Sequence, residues 1–181
     1  MKSNSNYTIK AAAILAIAVG LLVLLGWQTD SIILKQVLPE TVAMNPMVAV
    51  MFILIGCSLL LLLSNTTLVY SRNIAIAFSL LTIFIALLRL AAIFNLYDAG
   101  IDRLLYSNKV ITTVYSNTPS KITVNTALAF LLTGCGVLCM SFLRNKASQW
   151  LMLPVMAIGL LSVIGYSFHV SSFYSATTFV P

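Results

Sequence analysis

The sequence MNPMVAVMFILIGCSLLLLL, residues 44–63, decides the fold, because a related stretch follows 78 positions later. That second stretch, residues 122–141, reads ITVNTALAFLLTGCGVLCMS and keeps the Gly-Cys pair in register. Each stretch begins with a few polar residues and then continues with about 18 apolar ones. This is the length of helix that crosses a hydrocarbon core of about 30 Å. The two stretches therefore predict two equivalent transmembrane helices.

The composition of the whole chain is that of a membrane protein. Of its 181 residues, 60% are hydrophobic and 8% are charged, whereas a soluble domain has about 25% charged residues. Five apolar runs are long enough to span a bilayer. They lie at about 9–27, 47–63, 73–96, 123–143 and 149–168. We predict an all-α polytopic membrane helix bundle, a single integral membrane domain over 1–181, with about five transmembrane helices in repeated up-down pairs.

The segments between these spans predict short surface structure on the outer face. SIILKQVL, residues 31–38, has the pattern of a short amphipathic helix on the membrane surface. Asn45-Pro46 should start the second span, since proline at a helix N-terminus loses no hydrogen bond. DAGIDRLLYSN, residues 98–108, is compatible with a short helix, and VITTVYSNT, residues 110–118, favours an extended conformation.

The charged residues divide the segments outside the spans into two sets. One set is basic and has no acid: Lys2, Lys10, Arg72, Arg144 and Lys146. The other set contains all four acids and four bases: Asp30, Glu40, Asp98, Asp102, Lys35, Arg103, Lys109 and Lys121. The positive-inside rule places the first set in the cytoplasm. The N-terminus is then cytoplasmic and the C-terminus of this chain periplasmic. Topology explains the net charge of +6 better than nucleic-acid binding does.

Apart from Lys10 at the start of the first span, Arg89 is the one charged residue within a predicted span. Burying such a charge without a partner costs at least about 2.5 kcal/mol, so the position is a candidate functional site. One interpretation is that the side chain reaches the outer interface or forms a structural pair with Asp98 or Asn125. The alternative is a shallow outward pocket for an unknown ligand, lined by Asn125, Arg89, Asp98 and Trp27.

Polar residues near Arg89 have simpler interpretations. Asn125 and Thr126 start the fourth span, where helix capping and hydrogen bonds between helices are expected of such residues. Asp98 and Asp102 are four residues apart beside Arg103, which is typical of a solvated loop face. His169, the single histidine, is expected to be an ordinary interfacial residue. The alternative is a role in pH sensing.

Small residues within the spans indicate helix packing. Gly56, Gly134 and Gly136 are interpreted as points of close helix contact rather than as a phosphate cradle. The three cysteines, Cys57, Cys135 and Cys139, all lie in apolar runs, which favours packing over disulfides. A metal pair at Cys135 and Cys139 is the weaker alternative. We predict no metal site and no cofactor.

The sequence contains a larger repeat than one helix. Each unit is a rising span, an outer segment and a descending span. The rising spans end at Gly26-Trp27 and at Leu96-Tyr97, and a third rising span ends at Gly165-Tyr166. The two complete pairs have the same orientation, so the inverted repeats of many transporters are not expected.

The descending spans carry the pattern through which the chain resembles a known group. NTALAFLLTG, residues 125–134, matches N-T-A-x-x-F-L-L-x-G, and MVAVMFILIG, residues 47–56, matches it loosely with methionine in place of asparagine. SFHVSSFYS, after the third rising span, is also similar. In these features the chain resembles the N-terminal multi-span membrane regions of bacterial sensor proteins. Those regions precede cytoplasmic PAS, histidine kinase or diguanylate cyclase modules. This chain differs in lacking the sixth span and an output domain.

The resemblance implies a membrane-embedded sensory or anchoring region in the bacterial inner membrane. Such a region would couple an outer-face or intramembrane stimulus to a cytoplasmic output, and by analogy it would form a homodimer. The competing hypothesis is a stand-alone small multi-pass membrane protein, such as a transporter subunit or an assembly partner. An integral-membrane enzyme is disfavoured, because few titratable residues lie within the spans.

Overall fold

The computed structural model describes residues 2–36, 43–64, 69–98, 100–106 and 121–168. In these residues all regular secondary structure is helical, and five helices are long and apolar enough to cross a membrane. The predicted all-α class is therefore confirmed. The elements are α1 Lys2–Thr29, α2 Ile32–Lys35, α3 Pro46–Leu63, α4 Val69–Ile93, a 3₁₀ turn Ile101–Arg103, α5 Val124–Ser141 and α6 Asn145–Ser167. The predicted extended segment 110–118 lies outside the described residues.

The helices pack as two antiparallel pairs with one further helix at the side. α1 packs against α3, and α4 packs against α5. α3 also contacts α4 and α5, where Phe52 and Phe130 meet edge to face with ring centroids 5.0 Å apart. α6 packs against α5 at the edge. Only 6% of the apolar stretch of α6 is buried, against 22–44% in the other four helices. Because α3 and α5 contact each other and each contacts two further long helices, they form the centre of the bundle.

The bundle has two chemically different ends. At one end, which we call the acidic end, α1 and α4 finish, α3 and α5 begin, and Asp30, Asp98 and Asp102 lie nearby. At the other, the basic end, α3 and α5 finish and α4 and α6 begin. The Arg72 guanidinium carbon there lies 5.5 Å from the centre of the Phe142 ring.

The predicted packing glycines lie at contacts between helices. A Cβ atom placed on Gly56 would be 2.7 Å from the carbonyl oxygen of Ala13 and 2.6 Å from Ile17, both in α1. A Cβ on Gly134 would be 2.7 Å from Ile83 in α4. Gly136 lies against Ser148 and Met152 of α6. At Gly56 an added side chain would require movement of α1, whereas at Gly134 and Gly136 a neighbouring side chain would have to move.

Capping residues directly before α3 and α5 determine where these two helices begin. Asn45 caps α3 by accepting a 2.9 Å hydrogen bond from the N–H of Met47, and Pro46 follows as the first helical residue, as predicted. α5 is capped by Thr123, whose hydroxyl accepts from the N–H of Thr126 at 3.3 Å. The expectation that Asn125 caps this helix is wrong, because α5 begins one residue before it.

One further expectation needs correction. α4 ends at Ile93, three residues before the predicted end. Arg89 therefore lies four residues, or about 6 Å, from the helix terminus. Of the predicted surface helix 31–38, the structure describes residues 31–36, and α2 is a single turn within them: Lys35 is 4% exposed, whereas Ile33 is 86% exposed. The location of this segment on a membrane surface stays a prediction.

Candidate functional site

Buried polar side chains gather at the acidic end of the bundle, and we call this group the polar layer. Its members come from four different elements and from the residue before α3. They are Trp27, Lys35, Asn45, Arg89 and Asp102, and each is buried. Buried polar groups cost free energy unless they are hydrogen-bonded. The described bonds of this layer therefore determine its stability and its chemistry.

An ion pair forms the centre of the layer. The Nη1 atom of Arg89 lies 2.7 Å from Oδ2 of Asp102, and both residues are only 8% exposed. The Nε–H of Arg89 donates to the carbonyl oxygen of Ile122 at 2.8 Å. The N–H of Ile122 donates to Oδ1 of Asp102 at 3.1 Å. Arg89 and Asp102 thus hold both backbone groups of Ile122, two residues before α5 begins.

Burial changes the pKa of Asp102, the acid of this ion pair. Desolvation raises the pKa of the Asp102 carboxyl above its ordinary value. The attraction of Arg89, the hydrogen bond from Ile122 and the charge of Lys121 oppose this rise. Asp102 belongs to the 3₁₀ turn, outside the five long helices.

Trp27 holds Met44, two residues before α3, in a similar way. Its Nε1–H donates to the carbonyl oxygen of Met44 at 2.9 Å, and the N–H of Met44 donates to the carbonyl oxygen of Lys35 at 2.8 Å. The Lys35 ammonium lies 4.5 Å from the centre of the Trp27 ring and 3.0 Å from Oδ1 of Asp30. Tyr106 stacks near the same ring, with centroids 6.3 Å apart. The ion pair beside the first helix pair thus has a buried cation, Lys35, and an exposed acid, Asp30.

Asn45 joins the two halves of the polar layer. Its Nδ2–H donates to the carbonyl oxygen of Asp102 at 3.2 Å, while its side-chain oxygen caps α3. A second link runs from the hydroxyl of Tyr106 to Oε1 of Gln28 at 3.1 Å. A movement of the 3₁₀ turn would therefore reach the starts of both α3 and α5.

The structure separates the residues that the sequence grouped around a pocket. Arg89 and Trp27 belong to the polar layer, but the ion pair of Arg89 is with Asp102. Asp98 is exposed and accepts a 2.8 Å hydrogen bond from the N–H of Gly100, so its proposed pairing with Arg89 is wrong. Asn125 is half-buried in the first turn of α5. His169 lies outside the described residues.

Sequence reasoning missed three members of the layer, Lys35, Asn45 and Asp102, and assigned Asp102 to the wrong environment. Asp102 is buried, so the expectation of a solvated loop face is wrong for it. A useful signal was available, because a buried arginine requires a carboxylate and Asp102 follows the apolar Ile101 directly. Lys35 and Asn45 carry a weaker signal. Lys35 pairs with the exposed Asp30 and lies over the Trp27 ring, and the amide of Asn45 bonds to Asp102, 57 residues away.

The described bonds of the layer join elements of this chain to one another. Each bond described for Arg89 and Asp102 goes to another protein group. In the described ranges, no three His, Cys, Asp or Glu side chains lie close enough to share a metal ion. Comparison of the chain with protein families, with curated proteins and with solved structures found no match.

Replacing Trp27 by phenylalanine should destabilise the folded chain by about 1–2 kcal/mol. The variant retains an aromatic ring but leaves the half-buried carbonyl oxygen of Met44 without the Trp27 donor, and unsatisfied buried groups cost about 1–3 kcal/mol. Unfolding by SDS titration, followed by helical circular dichroism, measures the change. Trp150→Phe is the matched control, because Trp150 is 73% exposed. Equal stability of the two variants would contradict a role for the Trp27 bond.

Proposed function

We propose that this chain is the membrane-embedded sensory and anchoring region of a bacterial signal-transduction protein. In this proposal a stimulus at the acidic end, or within the membrane, changes the polar layer and is passed to a cytoplasmic output domain that is not within these 181 residues. The observation that supports it best is the hydrogen bonding of the backbone groups of Met44 and Ile122 to other elements. Each of these residues precedes a central helix and has both backbone groups bonded to other elements.

The two attachments are alike in their connections. In each, the carbonyl group accepts from a side chain near the end of the rising helix, Trp27 in α1 or Arg89 in α4. In each, the N–H group donates to the short helical segment that follows, at Lys35 or at Asp102. The outer segments are thus bonded directly to the starts of α3 and α5.

The interior contacts support the proposal that the helix pairs are copies of one unit. Gly56 of α3 lies against Ala13 and Ile17, four residues apart in α1. Gly134 of α5 lies against Ser79 and Ile83, four residues apart in α4. We propose a repeated unit in which the descending helix is held by a glycine contact in the membrane and by backbone bonds at the acidic end.

A helix transmits displacement along its length, which gives these units a means of signalling. Shifts of about 1–2 Å between packed helices are a common element of switching transitions. α3 and α5 extend from the polar layer to the basic end, which the charge distribution assigns to the cytoplasm. In this proposal the chain performs no catalysis, and signalling regions of this kind act as homodimers.

One observation favours the alternative of a stand-alone multi-pass protein that assembles with a partner. α6 is the least buried of the five long helices and exposes large apolar side chains such as Met156 and Leu160. An assembly partner or a transporter subunit would present such a helix to another membrane protein. Lipid covers the same surface equally well, so the sensory proposal remains the leading one.

The test is whether a change in the polar layer moves the basic end. Spin labels at Asn73→Cys in α4 and Leu143→Cys after α5, in a variant without native cysteines, report this distance in lipid nanodiscs. Asp102→Asn should shift the distance by about 1–2 Å, because it removes the charge that holds Arg89. Asp98→Asn is the control, since Asp98 is exposed. An unchanged distance in Asp102→Asn would refute signalling through the layer and leave the stand-alone alternative.

A further inference from the structure

The turn between α5 and α6, at the basic end, forms an open hollow of about 420 Å³. Its lining consists of five consecutive residues: Leu143, Arg144, Asn145, Lys146 and Ala147. Leu143 has a positive φ of 59°, which bends the chain sharply between the two helices. The hollow is remote from the polar layer, which lies at the other end of the bundle.

Two cations line this hollow, and a third lies against the neighbouring Phe142. Arg144 and Lys146 line it and are exposed. Arg72 reaches the same turn from α4, with its guanidinium 5.5 Å from the Phe142 ring. Within the described ranges, none of the three forms a salt bridge, because the bridges there join Arg89 to Asp102 and Lys35 to Asp30. The turn therefore carries positive charge that these residues do not neutralise.

The backbone N–H groups at the hollow also favour an anion. Asn145, Lys146 and Ala147 are the first residues of α6, and the first turn of this helix contains no acid. N–H groups in a first turn have no acceptor within the helix and attract anions. This effect alone does not define a site, but it adds to the three cations on the same side.

Apolar side chains border the cations and indicate which kind of anion fits. Leu143 is 84% exposed, Phe142 directly before it is exposed, and Trp150 is exposed further along α6. Tryptophan is typical of the level of lipid headgroups in a membrane. A soluble phosphate would leave these apolar groups in water, whereas a phospholipid would contact them with its acyl chains while its phosphate met the cations.

We propose that the α5–α6 turn is a binding site for the phosphate headgroup of an anionic phospholipid. Arg144 and Lys146 contact the phosphate from within the hollow, and Arg72 adds charge from α4. Basic surfaces between transmembrane helices at the cytoplasmic level bind anionic headgroups by this chemistry. The site depends on membrane insertion and on the basic end, but not on the proposed sensory role.

Native mass spectrometry of the full chain, titrated with phosphatidylglycerol or phosphatidylcholine, tests this site. Wild type should bind phosphatidylglycerol more tightly. Arg144→Gln/Lys146→Gln should weaken that binding by about 25-fold, since each cation near a membrane surface contributes about fivefold. Arg103→Gln/Lys121→Gln is the matched control, because both residues are exposed at the acidic end. Its affinity for phosphatidylglycerol should equal that of wild type.

Three outcomes would overturn the proposal. Equal binding of the two lipids would show that headgroup charge is not recognised. An equal loss in both double variants would show a general charge effect rather than a site at the α5–α6 turn. Competition by glycerol 3-phosphate at the same concentration as phosphatidylglycerol would assign the hollow to a soluble anion. Helical circular dichroism verifies that each variant is folded. The single variant Arg72→Gln should lose about fivefold in affinity for phosphatidylglycerol.

Discussion

Replacing Arg89 by methionine should destabilise the folded chain by about 3–5 kcal/mol, the usual cost of breaking a buried ion pair by removing one partner. Methionine occupies much of the same volume, so loss of packing contributes little. The variant leaves the Asp102 carboxylate buried without its cation and the Ile122 carbonyl oxygen without its donor. SDS titration followed by helical circular dichroism measures the free energy of unfolding.

The neighbouring arginine provides the control for this prediction. Arg103 is exposed and lies beside Asp102 in the same 3₁₀ turn. Arg103→Met should change the free energy of unfolding by less than about 0.5 kcal/mol, as is usual for surface substitutions. If the two methionine variants were equally stable, Arg89 would not be a structural partner of Asp102. The double variant Arg89→Met/Asp102→Leu should lose less than the sum of its single variants, because no lone charge remains buried.

The loss in free energy of unfolding caused by Arg89→Met should also depend on pH. The pKa of Asp102 is already raised by burial, and removing Arg89 raises it further because that guanidinium lowers it. The folded chain then binds this proton more tightly than the unfolded chain does, so protonation favours folding. The destabilisation is fully present above the raised pKa and decreases as the pH falls towards the ordinary value of 3.8. A destabilisation that grew on acidification would contradict this assignment.

Gly56→Val should separate α1 from α3 and destabilise the chain by about 2–3 kcal/mol, the upper range for overpacking. A Cβ atom at Gly56 would lie 2.7 Å from a backbone oxygen of Ala13. A backbone group cannot change rotamer, so a whole helix must move. Gly134→Val should cost less, because its nearest neighbour is the Ile83 side chain, at 2.7 Å, and the Ser79 oxygen is 3.4 Å away.

Gly159 is the internal control for this series. It lies in the middle of α6, and a Cβ atom there would have nothing within 4 Å. Gly159→Val should therefore leave the stability of the chain within about 0.5 kcal/mol, since valine has a slightly better helix propensity than glycine. The same SDS titration ranks the three variants. A loss at Gly159 equal to that at Gly56 would show that valine acts through the helix backbone rather than through helix contacts.

The membrane character and the five long helices follow from local sequence features. An apolar run of about 20 residues must form a helix in lipid, whatever surrounds it, because its backbone groups have no other partners there. The start of α3 is equally local, since Asn45 caps the helix and Pro46 follows it. Such features can be read from the chain alone, because each depends on residues that are close in sequence.

The partners within the polar layer depend on the tertiary structure. Two acids, Asp98 and Asp102, lie four residues apart after α4, and the folded chain buries Asp102 against Arg89 while Asp98 is exposed. Lys35 points inward because Trp27 of α1 and Asp30 provide its partners. The sequence by itself determined that this chain forms five membrane helices, since hydropathy acts over a single run of residues. Only the folded chain decided which charges pair, because that choice depends on how segments far apart in sequence meet at the end of the bundle.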